Sequence, residues 1–266
     1  MKNVKSLSIL IPSYNRGLQL IRLINKFNFL KEKIDIIIVN DGSNHSMFYK
    51  KVNLLCKKHS FAKYFELNKN YGQSYATNYG LSKVLTKFVW LLDDDDQISK
   101  NTLMKILYIL KTNPNINALL LPMSIFLGGK KIKTIYPKYK DHLYENLRNK
   151  AQTVNTSCSI FNKNKLIKIG GLDPKLMGGT DTDIFLRFSK KFTFRIAHVY
   201  PVRVNVDKSN KTYNFLLQQK SKIYFIKKNW KIISFKRKLY YLCSFIMFFP
   251  LLIKFQLIIK QLKNNG

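Results

Sequence analysis

Four runs of apolar, largely β-branched or aromatic residues punctuate the first third of the chain: Leu7–Ile11, Ile34–Val39, Ala62–Leu67 and Phe88–Leu92. Stretches with apolar residues at helical spacing separate them, Leu18–Phe27, Met47–Lys58 and Gln73–Leu85, and a fourth, Asn101–Lys111, follows the last run. Strands that alternate with helices must be joined by crossovers. This order therefore predicts an α/β fold with a mostly parallel sheet covered on both faces. In such sheets ligands bind beyond the carboxyl ends of the strands. The residues at those ends are Pro12-Ser13-Tyr14-Asn15, Asn40-Asp41-Gly42-Ser43, Asn68-Lys69-Asn70-Tyr71-Gly72 and Asp93-Asp94-Asp95-Asp96. All four segments are polar, which marks that edge of the sheet as the place to look for a site.

The aspartate run is the least expected of the four, because the chain has only 14 acidic residues against 47 Lys and Arg. Adjacent carboxylates repel one another, and a hard cation turns that repulsion into binding. Mg²⁺ and Mn²⁺ prefer oxygen ligands, and Mg²⁺ commonly leaves several coordination positions to water and substrate phosphates. The expected cofactor is thus a divalent metal, Mn²⁺ or Mg²⁺, shared with a diphosphate-bearing donor. A solvated acidic turn is the alternative. His45, His59, His142 and His198 show no metal-ligand spacing.

The formal charge of +33 is unevenly spread, since no Asp or Glu occurs from Lys208 to the C-terminus. A segment of this kind is drawn to anionic lipid or to nucleic acid, each basic residue near an anionic leaflet contributing roughly 1 kcal/mol. It begins with an amphipathic pattern carrying Leu216, Leu217, Ile223 and Tyr224, continues through Lys236-Arg237-Lys238, and ends in the apolar stretch Leu239–Ile253. That stretch is shorter than the roughly 20 residues of a spanning helix, and its basic flanks suit a helix lying in a membrane interface. The alternative is a helix packed on the domain's own core. Clustered basic residues with aromatics also mark nucleic-acid binders without catalytic activity. Against that rival, four carboxylates at one strand end would repel a phosphate backbone, and no nucleic-acid partner is expected.

Three cysteines, Cys56, Cys158 and Cys243, are odd in number and form no C-x-x-C pair, so neither a disulfide framework nor a zinc site is indicated and a reducing cytoplasm fits. Leu7–Ile11 is too short for a signal-peptide core and reads as a first strand. Beyond about residue 122 the periodicity loosens around Gly128-Gly129, Gly170-Gly171 and Gly178-Gly179. The expected division is one α/β domain over 1–206, with a first half to about 122 and a second from about 123, followed by a basic amphipathic helical tail over 207–266.

Taken in order, these segments resemble the motifs of a family-2 glycosyltransferase with the fold called GT-A. Ser8 to Asn15 resembles the family's first strand and nucleotide loop, and Ile36 to Ser43 its second strand ending in Asp-Gly-Ser. Asn70-Tyr71-Gly72 with Asn78 and Gly80 looks like the donor-side helix, and Leu92 to Asp96 like the D-x-D metal motif. Gly170-Gly171-Leu172-Asp173 before Asp181-Thr182-Asp183 resembles the acceptor-side motif. The resemblance covers about residues 5–190. Thr180 stands where the family often has Glu and Thr77 where it often has Arg, and no Gln-x-x-Arg-Trp of processive synthases accompanies Gln218 and Gln219.

The resemblance implies a nucleotide-sugar-binding sheet flanked by helices. It also implies an inverting, single-sugar transfer from a nucleotide-sugar, a UDP-sugar in the first instance, to a saccharide or lipid-linked saccharide in surface polysaccharide synthesis. Pro12, Ser13, Tyr14, Asp41, Asn70, Gly72, Asp93 and Asp94 are the implied nucleotide contacts, with Asp41 accepting the uracil imide N–H and Tyr14 lying against the base. An Asp-Gly turn is the plainer role for Asp41. Asp95 is the implied metal ligand, Asp93 a second, and Asp96 a further candidate, since a run of four leaves the register open by one. Asp181 is the implied general base, with a helix cap as its alternative role. An enzyme of this kind would sit in the cytoplasm, peripheral on the inner face of the cell membrane, docked through its tail on anionic lipid.

Overall fold

A computed structural model describes residues 5–30, 33–44, 46–138, 142–150, 154–206 and 215–243. The first half alternates as expected: β1 (Leu7–Ser13), α1 (Gly17–Phe27), β2 (Ile34–Asn40), α2 (Ser46–Lys58), β3 (Ala62–Glu66), α3 (Gln73–Lys83), β4 (Phe88–Leu91) and α4 (Lys100–Thr112). Helix α3 ends two residues before the expected Leu85, because Val84 turns extended (φ −68°, ψ 127°) on the way to β4. Helix α4 starts where Ser99 Oγ accepts the Thr102 N–H at 3.0 Å, satisfying one of the orphan donors of a helix N-terminus.

The second half holds β5 (Ala118–Leu120), β6 (Met123–Leu127), β7 (Lys130–Ile135), α5 (Leu143–Asn149), β8 (Ser159–Asn162), α6 (Lys163–Lys168), α7 (Thr180–Ser189), β9 (Arg195–Ile196), β10 (Val202–Val206) and α8 (Phe215–Asn229). Strands β6 and β7 form a hairpin turning at Gly128 and Gly129, whose φ angles of +55° and +81° match a turn that needs two left-handed residues.

Seven strands make the main sheet in the order β3-β2-β1-β4-β8-β5-β9, and β10-β6-β7 form a small second sheet. Pairings β1–β2, β2–β3, β1–β4 and β5–β9 are parallel, whereas β8 runs antiparallel to both neighbours, β4 and β5. The sheet is thus mostly parallel, with a single reversed strand.

Alternation along the strands feeds two cores. Leu7, Ile9 and Ile11 of β1, Ile34, Ile36 and Ile38 of β2, and Trp90 of β4 pack on one face under α1, α2 and α4. Leu10, Ile37, Val39, Val89 and Leu91 pack on the other under α3, α5, α6 and α7. Each fully buried aliphatic or aromatic side chain contributes about 1.5–3 kcal/mol, so the strands that carry the site's loops are firmly held. Trp90 is wholly buried and its indole N–H donates to the Ser157 carbonyl at 2.8 Å, fixing β4 to the segment before β8.

Helix α8 and a further helical segment over 235–243 follow. Phe225 and Ile233 join the second core. Lys228 Nζ reaches Asp173 Oδ2 at 2.6 Å and Asp183 Oδ1 at 2.9 Å, and Arg237, almost fully buried, donates to the Leu147 carbonyl and to Tyr241 Oη. The described part of the basic segment is therefore latched onto α5 and α7. The side chains of Leu216 and Leu217, and most of the apolar stretch Leu239–Ile253, lie outside the described residues. Among the described residues no helix is long and apolar enough to cross a membrane.

Two glycines set how closely the loops approach. A Cβ on Gly80 would meet Leu10 Cδ1 at 2.2 Å, so α3 lies directly on the sheet. At Gly42, with φ +65°, a Cβ would meet the backbone of Lys69 at 2.2 Å, pressing the β2 loop against the β3 loop. Gly42→Ala should lower the stability by at least the roughly 1–3 kcal/mol of a non-glycine residue held left-handed. Urea unfolding followed by circular dichroism checks this: the midpoint falls while the slope stays unchanged.

Candidate active site

The loops after β1, β2, β3 and β4 meet at one edge of the sheet and are stitched together by their own polar side chains. Asn15 sits at φ +57°; its N–H donates to Ser43 Oγ at 2.9 Å and its Oδ1 accepts the Asn44 N–H at 3.0 Å. Asp41, 3% exposed, accepts the N–H groups of Tyr71 at 2.8 Å and Gly72 at 2.9 Å, one on each carboxylate oxygen. It thereby ties the β2 loop to the start of α3 and retains lone pairs for a further donor. Tyr71 stacks on Tyr75 at 4.6 Å, and Tyr14 stands exposed on the β1 loop.

The four aspartates after β4 have four different environments. Asp93 donates its backbone N–H to Ser157 Oγ (2.9 Å) and accepts the Gln73 side-chain amide N–H at Oδ1 (2.6 Å). Asp94, buried, accepts Ser13 Oγ–H at 2.6 Å and Arg16 Nη1–H at 3.0 Å. The same Arg16 nitrogen lies 2.5 Å from Asp95 Oδ2. Asp96, 2% exposed, accepts the Asn205 N–H of β10 at Oδ1 (3.0 Å), while its buried Oδ2 has no hydrogen-bond partner among the described residues. Strand β10 is held there by paired backbone bonds between Gln97 and Arg203, both 2.9 Å.

Desolvation dominates the electrostatics. It raises the Asp93 carboxyl well above the carboxylate range, with Asp96 and Asp181 adding to the effect. It pushes Asp96 up to about 7, the neighbouring Asp95 charge adding to the rise and the Asn205 N–H opposing it. Asp94 is raised by burial too, although Ser13 and Arg16 pull it down. Partial burial alone would lower the Arg16 guanidinium, but Asp94 and Asp95 leave it raised.

One ligand oxygen from each of Asp93, Asp95 and Asp96 lies within 4.8 Å of the other two. An orphaned, buried carboxylate oxygen costs about 1–3 kcal/mol or more, and a divalent cation would satisfy it. The residues present therefore fit a hard metal ion.

Asp181 lies in the first turn of α7, which Gly179 enters at φ +74°. It is partly buried, burial raises its carboxyl to about 6, and hydrogen bonds from the Thr156 hydroxyl and backbone oppose that rise. A carboxylate that titrates there is ionised at neutral pH yet basic enough to accept a proton. Asp183, two residues on, is wholly buried and serves structure, with Arg187 Nη2 at 2.7 Å and Lys228 Nζ at 2.9 Å compensating its charge. Asn78 joins α3 to the acceptor-side motif, exchanging hydrogen bonds with the backbone of Leu172 at 2.7 and 2.9 Å.

A cavity of about 840 Å³ unites these groups. Every residue expected at the site lines it except Asn70, whose Oδ1 accepts the Gly72 N–H at 3.0 Å and so holds the loop. Lys222, Tyr240 and Tyr241 of the C-terminal helices also line it. Sequence reasoning assigned no role to Arg16, Gln73, Thr156, Ser157 or Asn205. Arg16 directly follows a recognised motif, and its position there was a usable signal. Thr156, Ser157 and Asn205 lie where no periodicity or motif singles out a residue.

Residues 8–170 match the family model described as glycosyl transferase family 2. The minor teichoic acid biosynthesis protein GgaA of Bacillus subtilis (strain 168) is 31% identical over 136 residues, covering 47% of this chain and 28% of that protein. The structure of S. aureus TarS 1–349 in complex with UDP-GlcNAc superposes with a TM-score of 0.61 at 16% identity, over 79% of this chain and 61% of that one. The mannosyltransferase PcManGT from Pyrobaculum calidifontis, in complex with GDP-Man and Mn²⁺, gives 0.61 at 15%, over 86% and 66%. The chain spans 14–28% of the length of the curated relatives it matches.

An acid whose pKa is raised on folding makes the native state bind more protons than the unfolded one, so stability falls as pH rises from the unfolded to the folded value. For Asp96 that window runs from about 4 to about 7. In EDTA, Asp96→Asn should melt about 2–4 °C or more above the parent at pH 8, and the gain should shrink towards pH 5. Thermal scans with and without Mn²⁺ check this, since added ion should stabilise the parent more than the variant.

Proposed function

The chain belongs to glycosyl transferase family 2, its sheet and flanking helices have the GT-A form, and on that premise we propose that it transfers a single sugar from a nucleotide-sugar to an acceptor hydroxyl with inversion. The observation that carries the proposal is one cavity lined by the nucleotide-loop residues, the aspartate cluster and Asp181 together. The donor is a UDP-sugar: Asp41 keeps lone pairs for the uracil imide N–H, and Tyr14 offers a ring to the base. The relative whose structure holds UDP-GlcNAc supports this choice.

In this reading Asp95 and Asp93 hold Mn²⁺ or Mg²⁺, with Asp96 completing the protein's share. When bound, the ion neutralises the departing diphosphate and acts as its Lewis acid. The neighbour solved with Mn²⁺ supports a divalent ion at such a site. Asp181 takes the proton from the acceptor hydroxyl as that oxygen attacks the anomeric carbon, and Thr156 keeps the carboxylate aimed and ionised. A single displacement from the face opposite the diphosphate inverts the anomeric configuration.

The acceptor is a saccharide or lipid-linked saccharide in surface polysaccharide synthesis, a reading supported by the teichoic acid role in the name of GgaA. Residues 1–206 form the catalytic unit, donor half to about 122 and acceptor half from about 123, and 207–266 the tail. The enzyme works in the cytoplasm, peripheral on the inner membrane face. Exposed Trp230, Phe235, Leu239 and Leu242, interspersed with exposed or half-exposed Lys231, Lys236 and Lys238, support anionic lipid as its docking surface.

Titration calorimetry of UDP should give binding with Mn²⁺, little or none in EDTA, and at least tenfold weaker binding to Asp95→Ala; no UDP binding under any condition sinks the donor assignment. Once a donor sugar is found, Asp181→Asn should lower kcat by about 10²–10⁴-fold while leaving UDP affinity near that of the parent. In the parent, protonation of Asp181 removes the base. The value of kcat/KM should therefore fall about tenfold per pH unit below about 6, and a flat profile from pH 5 to 8 excludes Asp181 as the base.

A further inference from the structure

Arg16 stands where the proposed ion must bind. Its Nη1 lies 3.0 Å from Asp94 Oδ1 and 2.5 Å from Asp95 Oδ2, and its side chain lines the cavity. The two carboxylates differ in their other support. Asp94 is buried and also held by Ser13 Oγ at 2.6 Å, so it can keep the guanidinium as a lasting partner. Asp95 is more open, its side chain 22% exposed. It belongs with Asp93 and Asp96 to the group whose oxygens converge within 4.8 Å.

The backbone of Arg16 is fixed, its N–H donating to Tyr49 Oη at 3.0 Å at the start of α1, while the side chain is 29% exposed. A guanidinium has five N–H donors and a flexible stem, so it can release one carboxylate and keep the other. Asp95 already meets the guanidinium through Oδ2, and a divalent cation on the same carboxylate would set two cations against each other at close range.

From this geometry we infer that Arg16 is the built-in counter-cation of the metal-free cluster. A divalent ion displaces it from Asp95, and the displaced guanidinium turns to the anionic diphosphate of a nucleoside diphosphate. The inference rests on the proposed metal role of Asp95 and deepens it. Arg16 makes metal and donor bind cooperatively: the ion alone must compete with an internal cation, whereas the ion arriving with a diphosphate gives that cation a new partner. By linkage the effect is reciprocal, so UDP tightens Mn²⁺ by the factor by which Mn²⁺ tightens UDP.

The test is Mn²⁺ binding, read by electron paramagnetic resonance of the free ion, for the parent, Arg16→Gln and Arg16→Lys, each without and with saturating UDP. Without UDP, Arg16→Gln should bind Mn²⁺ about tenfold more tightly than the parent, within the range usual for coupled sites. The tightening on adding UDP should shrink in the same variant. Arg16→Lys, which keeps the charge but loses the two-pronged fork, should fall between them, and it decides the matter if melting in EDTA shows that the Gln variant does not fold. Unchanged or weaker Mn²⁺ binding in the folded variants overturns the exchange while leaving the metal site standing. A parent that binds no Mn²⁺ with or without UDP overturns the metal assignment itself.

Discussion

Negative charge brought together out of water at the end of β4 is the constraint that organises this molecule. Four consecutive carboxylates repel one another, and burial makes the ionised forms of Asp93, Asp94 and Asp96 costlier. The fold offsets that cost from several directions. Ser13 and Arg16 come from the β1 side, Gln73 from α3, and Asn205 from β10. The remainder stays unpaid at Asp96 Oδ2. An unsatisfied buried oxygen of this kind marks a site that violates the rule of satisfied polar groups, as functional sites do.

The rest of the architecture can be read as support for this arrangement. Strands β1, β2 and β4 are buried on both faces, which gives the loops at their ends a rigid base. Gly42 and Asn15 then let the neighbouring loops touch, with Asp41 clasping the start of α3. On the other side of the cavity the buried Asp183, with Arg187 and Lys228, holds α7 against α8, so that Asp181 points from a fixed helix. Two aspartates two residues apart thus have different environments, because Asp183 is enclosed by cations and Asp181 is not.

Much of this was legible beforehand for a clear reason. The first four strands and helices follow from hydrophobic periodicity, which depends on local order alone, and their limits were right to within a residue or two. The strand-end rule then singled out Tyr14, Asp41, Gly72 and the aspartates before any contact was known. Asn70 followed its motif but turned inward to its own loop. Arg16 and Ser157 escaped notice because their importance lies in which groups of the aspartate run they meet, 64 to 79 residues away in sequence. The basic segment was read through its charge as a separate tail, yet its described helices are latched to α5 and α7, since Lys228 finds buried acids that composition cannot reveal.

The sequence by itself therefore determined the alternating α/β order, the edge of the sheet that carries the chemistry, and the family of the chain, because each depends on residue type and spacing along one strand or loop. Tertiary structure alone decided which aspartates are desolvated, which one keeps an unsatisfied oxygen, that Arg16 lies against Asp95, and that the C-terminal helices help line the cavity. Those properties are set by distances between groups far apart in the chain and by the water excluded between them, and neither quantity exists until the chain has closed around the cluster.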